Sequence, residues 1–592
     1  MASLDPRLAT PSLHDLINSV EAIGSGRGLP EVIAFYTRWI AFQPAGAREL
    51  PAAWFNLGTE LASGGDAAGA IQAYRASLAL LPSFAPAAVN LGLQLERQGD
   101  NGAALQVWTD ALQSDESRVS LLNQRGRLLE GAGELAQAAD ILRTSLLTRH
   151  DQSDVVQHWV HLRQKMCEWP ALAETIPGLT PQDLLARSGP LAALALTDDV
   201  ATQRSIAAGW LARKTQPQPA LAPPEGYHHD RIRVGYLSSD FCSHAMSYLI
   251  AELFERHDRS RFEIHGYCAS PEDGSPIRAR VIAAFDHFTS VRSLTDEDAA
   301  RRIRADEIDI LIDLNGLTSG ARIQVLRWKP APVQATYLGF IGPVPLPELD
   351  YILCDDFVIP SAIAATYQPT PLPIEGLYQA NDSKRVVGAP MTRAEAGLPE
   401  DRFVFCCFSN HYKITEAMYT GWMDILRRSG DSVLWLVDDN QWSRQNLRLK
   451  ALISGIDPSR LLFANRTDPA SYMARLAVAD LFLDTFPYNA GTIASDAIRM
   501  GLPLLTLAGQ SFASRMAAGM LHAIGADAGV TGTMDAYVSA AVALATDRDA
   551  YAAYRGRFTE TAWTASLGDI AGFTRRFEAA LLRMAGVALT SA

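Results

Sequence analysis

DLFLDTFPYNAGTIASDAIRM, residues 480 to 500, begins as an apolar run, breaks at Pro487, and then offers Asn489, Gly491, Thr492 and Ser495 before the next apolar stretch. The pattern reads as a short buried strand, a PYNAGT loop and the start of a helix. Other β-rich runs flank it. RIRVGYLSS, FEIHGYCAS, DILIDLNG, VQATYLGF and DYILCDDFVI form one set; FVFCCFS, SVLWLVD, RLLFANR, DLFLDTF and LPLLTLA form a second. Apolar strands alternating with helical segments imply parallel sheets covered on both faces. The polar stretch QANDSKRVVGAPMT divides the sets near 380 to 400, so two Rossmann-like domains facing a cleft are expected. Ligands in such sheets bind beyond the carboxyl ends of the strands.

Upstream the texture is helical and repetitive. Leu57-Gly58, Leu91-Gly92 and Arg125-Gly126 are 34 residues apart, and Gly65, Gly99 and Gly133, then Ala70, Ala104 and Ala138, keep the same step. Tyr74, Trp108 and Leu142 do so too. This period resembles the tetratricopeptide repeat, paired helices that bury their apolar faces only by stacking into an α superhelix with a concave side. GLPEVIAFYTRWIAFQP (28 to 44) reads as a degenerate capping unit. Residues 150 to 213 stay helical out of register, and TQPQPALAPPEG (215 to 226) marks a boundary.

The 592 residues carry a net charge of -13, against a protein that coats nucleic acid, which needs a concentrated basic face. No run approaches the length of a membrane span. The opening residues have no secretory h-region, and the six scattered cysteines form no C-x-x-C pair, so a reducing cytoplasm is expected.

RIRVGYLSSDFCSHAMSYL (231 to 249), DLNGLTSGAR (313 to 322) with APVQATYLGFIG (331 to 342), CFSNHYKIT (407 to 415) and DTFPYNAGTIASDAIRMGLPLLTLAGQSFASRMA (484 to 517) occur in this order behind the repeats. The chain from about Arg231 onward thereby resembles the O-linked N-acetylglucosamine transferase family, the SPINDLY-like glycosyltransferases. The resemblance implies a GT-B fold and inverting, metal-independent transfer from a nucleotide sugar to Ser or Thr of a protein. Asp438-Asp439 and Asp355-Asp356 form no Asp-x-Asp pattern, so no metal is expected, and no cofactor beyond the donor. The domains are then 1–49 (N-terminal helices and capping repeat), 50–150 (repeats, binding a protein acceptor), 151–226 (connector and linker), 227–385 (first Rossmann-like domain) and 386–592 (second, nucleotide-sugar-binding).

Transfer builds negative charge on the leaving phosphate, so the site needs cations or oriented N–H donors there. Helix N-termini supply such donors, and those near Thr492, Ile493 and Ala494 are candidates; a plain turn at Gly491 is the competing reading. The resemblance gives Asp496 the nucleotide ribose, Lys413 the donor phosphates, Asn410 a place beside the diphosphate and Arg475 the nucleotide side. It makes His244 and His287 active-site histidines. A histidine suits general-base work near neutrality, although His244 also suits a helix cap and Asp240 a loop support. Gly339 and Gly342 are read either as letting backbone approach sugar or acceptor, or as turn glycines. The chain departs from the family at Gly491 and Ile493, where a histidine and a threonine stand, at Pro469, where a ribose-binding lysine stands, and at Tyr472, where a histidine stacks on uracil. Tyr472 can still stack; Pro469 has no donor. The donor is accordingly a UDP-sugar or a CMP-linked acidic sugar for a surface protein such as flagellin. A catalytically silent repeat scaffold is the third reading.

Overall fold

The computed structural model describes residues 13–113, 118–173 and 175–586. Residues 1–12, part of the opening segment read for a leader, lie outside them. The chain divides into two compact units, Met1–Leu162 with Glu174–Leu179, and Arg163–Ala173 with Thr180–Ala592.

The first unit is helical. Leu50–Ser63 pairs with Ala67–Leu80, Ala85–Arg97 with Asn101–Asp110, and Arg118–Gly131 with Leu135–Thr148. The 34-residue step has a steric cause. A Cβ on Gly58 would stand 2.6 Å from the Tyr74 ring, one on Gly92 2.2 Å from Trp108, and one on Gly126 2.3 Å from Leu142. Each first helix thus leaves a hole that its partner's large side chain fills. Gly65, Gly99 and Gly133, at φ near +80°, make the turn between the two helices, where a side chain is strained. Asp66 and Asp100 then cap the second helices by accepting the N–H of Gly69 and Ala103.

The second unit holds two all-parallel sheets. In the first, β1 (Ile232–Ser238), β2 (Phe262–Cys268), β3 (His287–Ser290), β4 (Ile310–Asp313), β5 (Val333–Thr336), β6 (Tyr351–Cys354) and β7 (Thr370–Pro373) lie in the order 3-2-1-4-5-6-7. In the second, β8 (Val404–Cys407), β9 (Val433–Val437), β10 (Leu461–Ala464), β11 (Leu481–Leu483), β12 (Leu504–Leu507) and β13 (Val530–Thr531) lie in the order 10-9-8-11-12-13. The strand order reverses between β1 and β4 and again between β8 and β11, which fixes where each sheet opens toward a ligand. Apolar residues such as Val234, Tyr236 and Ile312, or Phe405, Leu434 and Phe482, are fully buried, as strands covered on both faces require. Among the described residues no helix is long and apolar enough to cross a membrane.

The last helix, Ile570–Met584, departs from the sequence-derived ranges. It packs into the core of the first sheet: Glu578 accepts the N–H of Asp258 at 2.8 Å and lies 3.1 Å from His257, and Phe577 stacks obliquely on Tyr337. Its apolar stripe, Phe573, Phe577 and Leu581, is buried in that core.

Candidate active site

The loops leaving β1, β4 and β5 meet those leaving β8 and β11 around a cleft of about 410 Å³. Asp240, His244, Thr318, Gly339, Asn410, Lys413 and residues 490–493 are among its walls. Both strand-order reversals therefore open onto one space, as the general rule for open α/β sheets requires.

On the second-sheet side a turn is built before any ligand arrives. The buried Asp484 carboxylate accepts the N–H groups of Thr485 and Ala490 and the Thr506 hydroxyl, at 2.7 to 2.8 Å. Burial pushes its pKa up to about 7. The turn presents the N-terminus of the helix Thr492–Arg499, whose cap residue Gly491 supplies no side-chain bond. The first N–H groups of such a helix have no carbonyl one turn back. Lys413, on the 3₁₀ turn after β8, enters from the side. Its ammonium donates to the Asn489 carbonyl at 3.1 Å and stands over the Tyr488 ring. Burial pushes its pKa down to about 8, partly offset by Asp484. A cation and the first backbone donors of a helix thus line one side of the cleft, an arrangement suited to an anion.

On the first-sheet side His244 is both cap and cleft residue. Its Nδ1 accepts the Met246 N–H at 3.3 Å, opening the helix Ala245–Arg256, while half of the side chain is exposed. The Asp240 carboxylate lies 3.6 Å from the same Nδ1 and takes a hydrogen bond from Asn315 at 2.7 Å. Burial raises the Asp240 pKa, and His244 opposes that rise. If Nδ1 accepts from Met246, the Nε2 of a neutral imidazole carries the proton; if Nδ1–H turns to Asp240, Nε2 is free to accept one.

The remaining sequence candidates are distributed differently. Gly339 lines the cleft, but a Cβ there would stand 2.0 Å from the Leu314 carbonyl, so its glycine is demanded by neighbouring backbone. Gly342 is buried against Leu194 and Phe340, away from the cleft lining. Tyr472 packs edge-on against Phe408 with a buried, unpartnered hydroxyl, and Arg475 donates to the Asn465 carbonyl. Neither is among the cleft walls. Asp496 is buried one turn into the helix and clasped by Arg385 through contacts of 2.5 and 3.2 Å, a partner the sequence reading did not name. Arg385, Tyr248 and Pro469 line a separate cavity of about 480 Å³.

His287 is not brought to the cleft. It opens β3, the sheet's edge strand, opposite His265, which in turn pairs with Gly235 of β1. Gly235 lies three residues before the carboxyl end of β1, about 10 Å back along the strand. The reading of His287 as an active-site histidine is corrected on that ground. The paired aspartates are also occupied: Asp438 holds Arg444, Asp439 holds Arg466, and Asp355 accepts three backbone N–H groups. Tyr488, Tyr412 and Gln379, all in the cleft wall, carried no sequence signal, because an aromatic or amide in a loop has no pattern of its own.

Residues 218–370 and 380–577 match glycosyl transferase family 41. A protein of Arabidopsis thaliana described as a probable UDP-N-acetylglucosamine–peptide N-acetylglucosaminyltransferase SEC is 30% identical over 420 residues, covering 69% of this chain and 43% of the relative. A UDP-N-acetylglucosamine–peptide N-acetylglucosaminyltransferase of Caenorhabditis elegans is 27% identical over 467 residues, covering 60% and 41%. The chain thus spans about two fifths of the length of these curated relatives. In three dimensions it resembles a mutant O-GlcNAc transferase of Thermobaculum terrenum, with a TM-score of 0.66 at 23% identity over 92% of this chain and 98% of the other, a likeness of fold. With more than half of its residues inside the family match, the chain belongs to glycosyl transferase family 41.

Proposed function

We propose that this protein is an inverting glycosyltransferase that moves a sugar from a nucleotide donor to Ser or Thr of a protein acceptor. The observation that carries the reading is the convergence of Lys413 and the N–H groups of Thr492 and Ile493 on one wall of a cleft whose opposite wall holds His244. The first wall binds the diphosphate and stabilises charge as the bond to the sugar breaks. The acceptor hydroxyl approaches from the His244 side and loses its proton there as it attacks the anomeric carbon. The repeats hold the acceptor chain, since stacked helical pairs offer extended concave surfaces. The descriptions of the relatives, peptide N-acetylglucosaminyltransferases, support UDP-N-acetylglucosamine as donor.

The test is intact-mass spectrometry of candidate acceptor proteins co-expressed with the wild type and with Lys413→Ala. A mass increment of one sugar that vanishes with the variant supports the reading; identical spectra reject it.

The Arg385 clasp on Asp496 favours a second reading of the donor alone. With that carboxylate paired, and Tyr472 and Arg475 outside the cleft lining, the nucleoside is held by other contacts than the family resemblance implies. A donor other than UDP-N-acetylglucosamine then becomes the better substrate, and calorimetric titration of UDP- and CMP-sugars separates the two.

A further inference from the structure

At the far end of the first sheet, three side chains face one another for which the transfer reaction has no use. Glu263 and His265 sit two apart on β2, so both project from one face of the sheet. His287 is the registered neighbour of His265 on β3 and projects from that face too. Glu263 Oε1 lies 3.1 Å from His265 Nε2 and 3.1 Å from His287 Nε2, and all three atoms fall within 4.8 Å of one another.

We propose that Glu263, His265 and His287 form a binding site for a divalent transition cation, with zinc as the occupant. In a tetrahedron with bonds of about 2.0–2.2 Å the ligand atoms are roughly 3.3–3.6 Å apart. The two nitrogen–oxygen separations, 3.1 Å each, need open by only a few tenths of an ångström, so the nitrogen–nitrogen edge makes the larger adjustment. The donor set, two imidazoles and one carboxylate, is one that zinc takes in sites that keep a fourth position for water. His287, 57% exposed, supplies the open side, while His265 at 8% and Glu263 at 16% form the floor. Arg231 donates to the other carboxylate oxygen, Oε2, at 2.7 Å, which orients Oε1 toward the imidazoles as an outer-shell partner does. Arg233 Nε, 3.9 Å from Oε1, opposes the cation and holds the affinity below that of a closed structural site. Lying about 10 Å back from the carboxyl ends of the strands, the cation takes no part in transfer. It clips β3, which pairs only with β2, to the rest of the sheet.

Untagged protein stripped with a chelator is titrated with Co²⁺, followed by visible absorbance, and the bound Co²⁺ is then displaced with Zn²⁺. One equivalent of Co²⁺ with the intense spectrum of low-coordinate cobalt, displaced by Zn²⁺, is expected. His287→Ala, at an exposed position that leaves the fold intact, weakens binding at least tenfold. His244→Ala leaves binding unchanged, and Zn²⁺ raises the Tm of the wild type but not of His287→Ala. Wild-type uptake no greater than that of His287→Ala, or uptake that vanishes with His244→Ala, overturns the proposal.

Discussion

The Lys413 ammonium stands 3.5 Å from the centroid of the Tyr488 ring, with the Asn489 carbonyl as its hydrogen-bond acceptor. The cation is held by one π face and one neutral carbonyl, with no carboxylate in direct contact among the described residues. Such a cation keeps most of its charge for an incoming phosphate.

On the proposed role of Lys413, donor binding should depend on pH through this lysine. With a pKa near 8 before the donor binds, the ammonium is charged below pH 8 and neutral above it. A phosphate that needs the charged form must bring a proton in at higher pH. Affinity is therefore flat below pH 8 and falls by roughly tenfold per unit above it, until the pKa of the bound state is reached. Calorimetry at pH 9 in buffers of different ionisation enthalpy should show uptake of nearly one proton; uptake of none would refute the assignment.

Tyr488→Leu keeps the apolar wall and removes the π face. A desolvated cation–π contact contributes up to about 2 kcal/mol. Donor affinity at pH 7 should fall by about tenfold, and the pH above which binding weakens should move down. Titrations of wild type and variant at several pH values check both.

His244→Ala should lower kcat by about 10²–10⁴-fold, the usual contribution of a positioned base, and leave the donor dissociation constant unchanged. Asp240→Asn keeps an acceptor for Asn315 but removes the carboxylate that faces Nδ1, and should lower kcat by about tenfold. Single-turnover kinetics, paired with equilibrium titration of the donor, separate these effects from a binding defect.

Arg385→Ala leaves the Asp496 carboxylate buried without its partner. Breaking a buried pair on one side costs about 3–5 kcal/mol. Arg385→Ala/Asp496→Ala should recover part of that loss, as measured by urea denaturation of the three proteins.

In the repeats, Gly92→Ala places a methyl 2.2 Å from the Trp108 ring and should destabilise that unit by about 1–3 kcal/mol. Gly92→Ala combined with Trp108→Leu, which reproduces the smaller plug of the third repeat, should be less destabilised than the sum of the single changes. Strictly additive losses would show that the two positions do not share a hole.

The alternating architecture was legible because buried parallel strands announce themselves as apolar runs, and each of the ten β-rich runs in the sequence contains a strand. The strands that escaped, β3, β7 and β13, are the short edge strands HFTS, TPLP and VT. Paired on one side only, they carry little apolar signal. The glycine period in the repeats was equally readable, since a hole and its plug recur at fixed spacing. The motif-loop residues Lys413, His244 and 491–493 line the cleft. His287 does not, because a motif match carries no information about which end of a strand a residue occupies. Arg385 was invisible because it lies in a polar segment that looks like a linker, 111 residues before its partner Asp496.

The helix Ile570–Met584 has a consequence for the order in which the molecule is made. His257 and Glu578, whose contact closes the core of the first sheet, are 321 residues apart along the chain. As synthesis proceeds from the N-terminus, strands β1 to β7 leave the ribosome long before the helix that covers them, with the whole second sheet between. The part of the second unit translated first is thus the part whose core is completed last, and a chain truncated before residue 570 would expose that apolar sheet face to solvent and to other nascent chains.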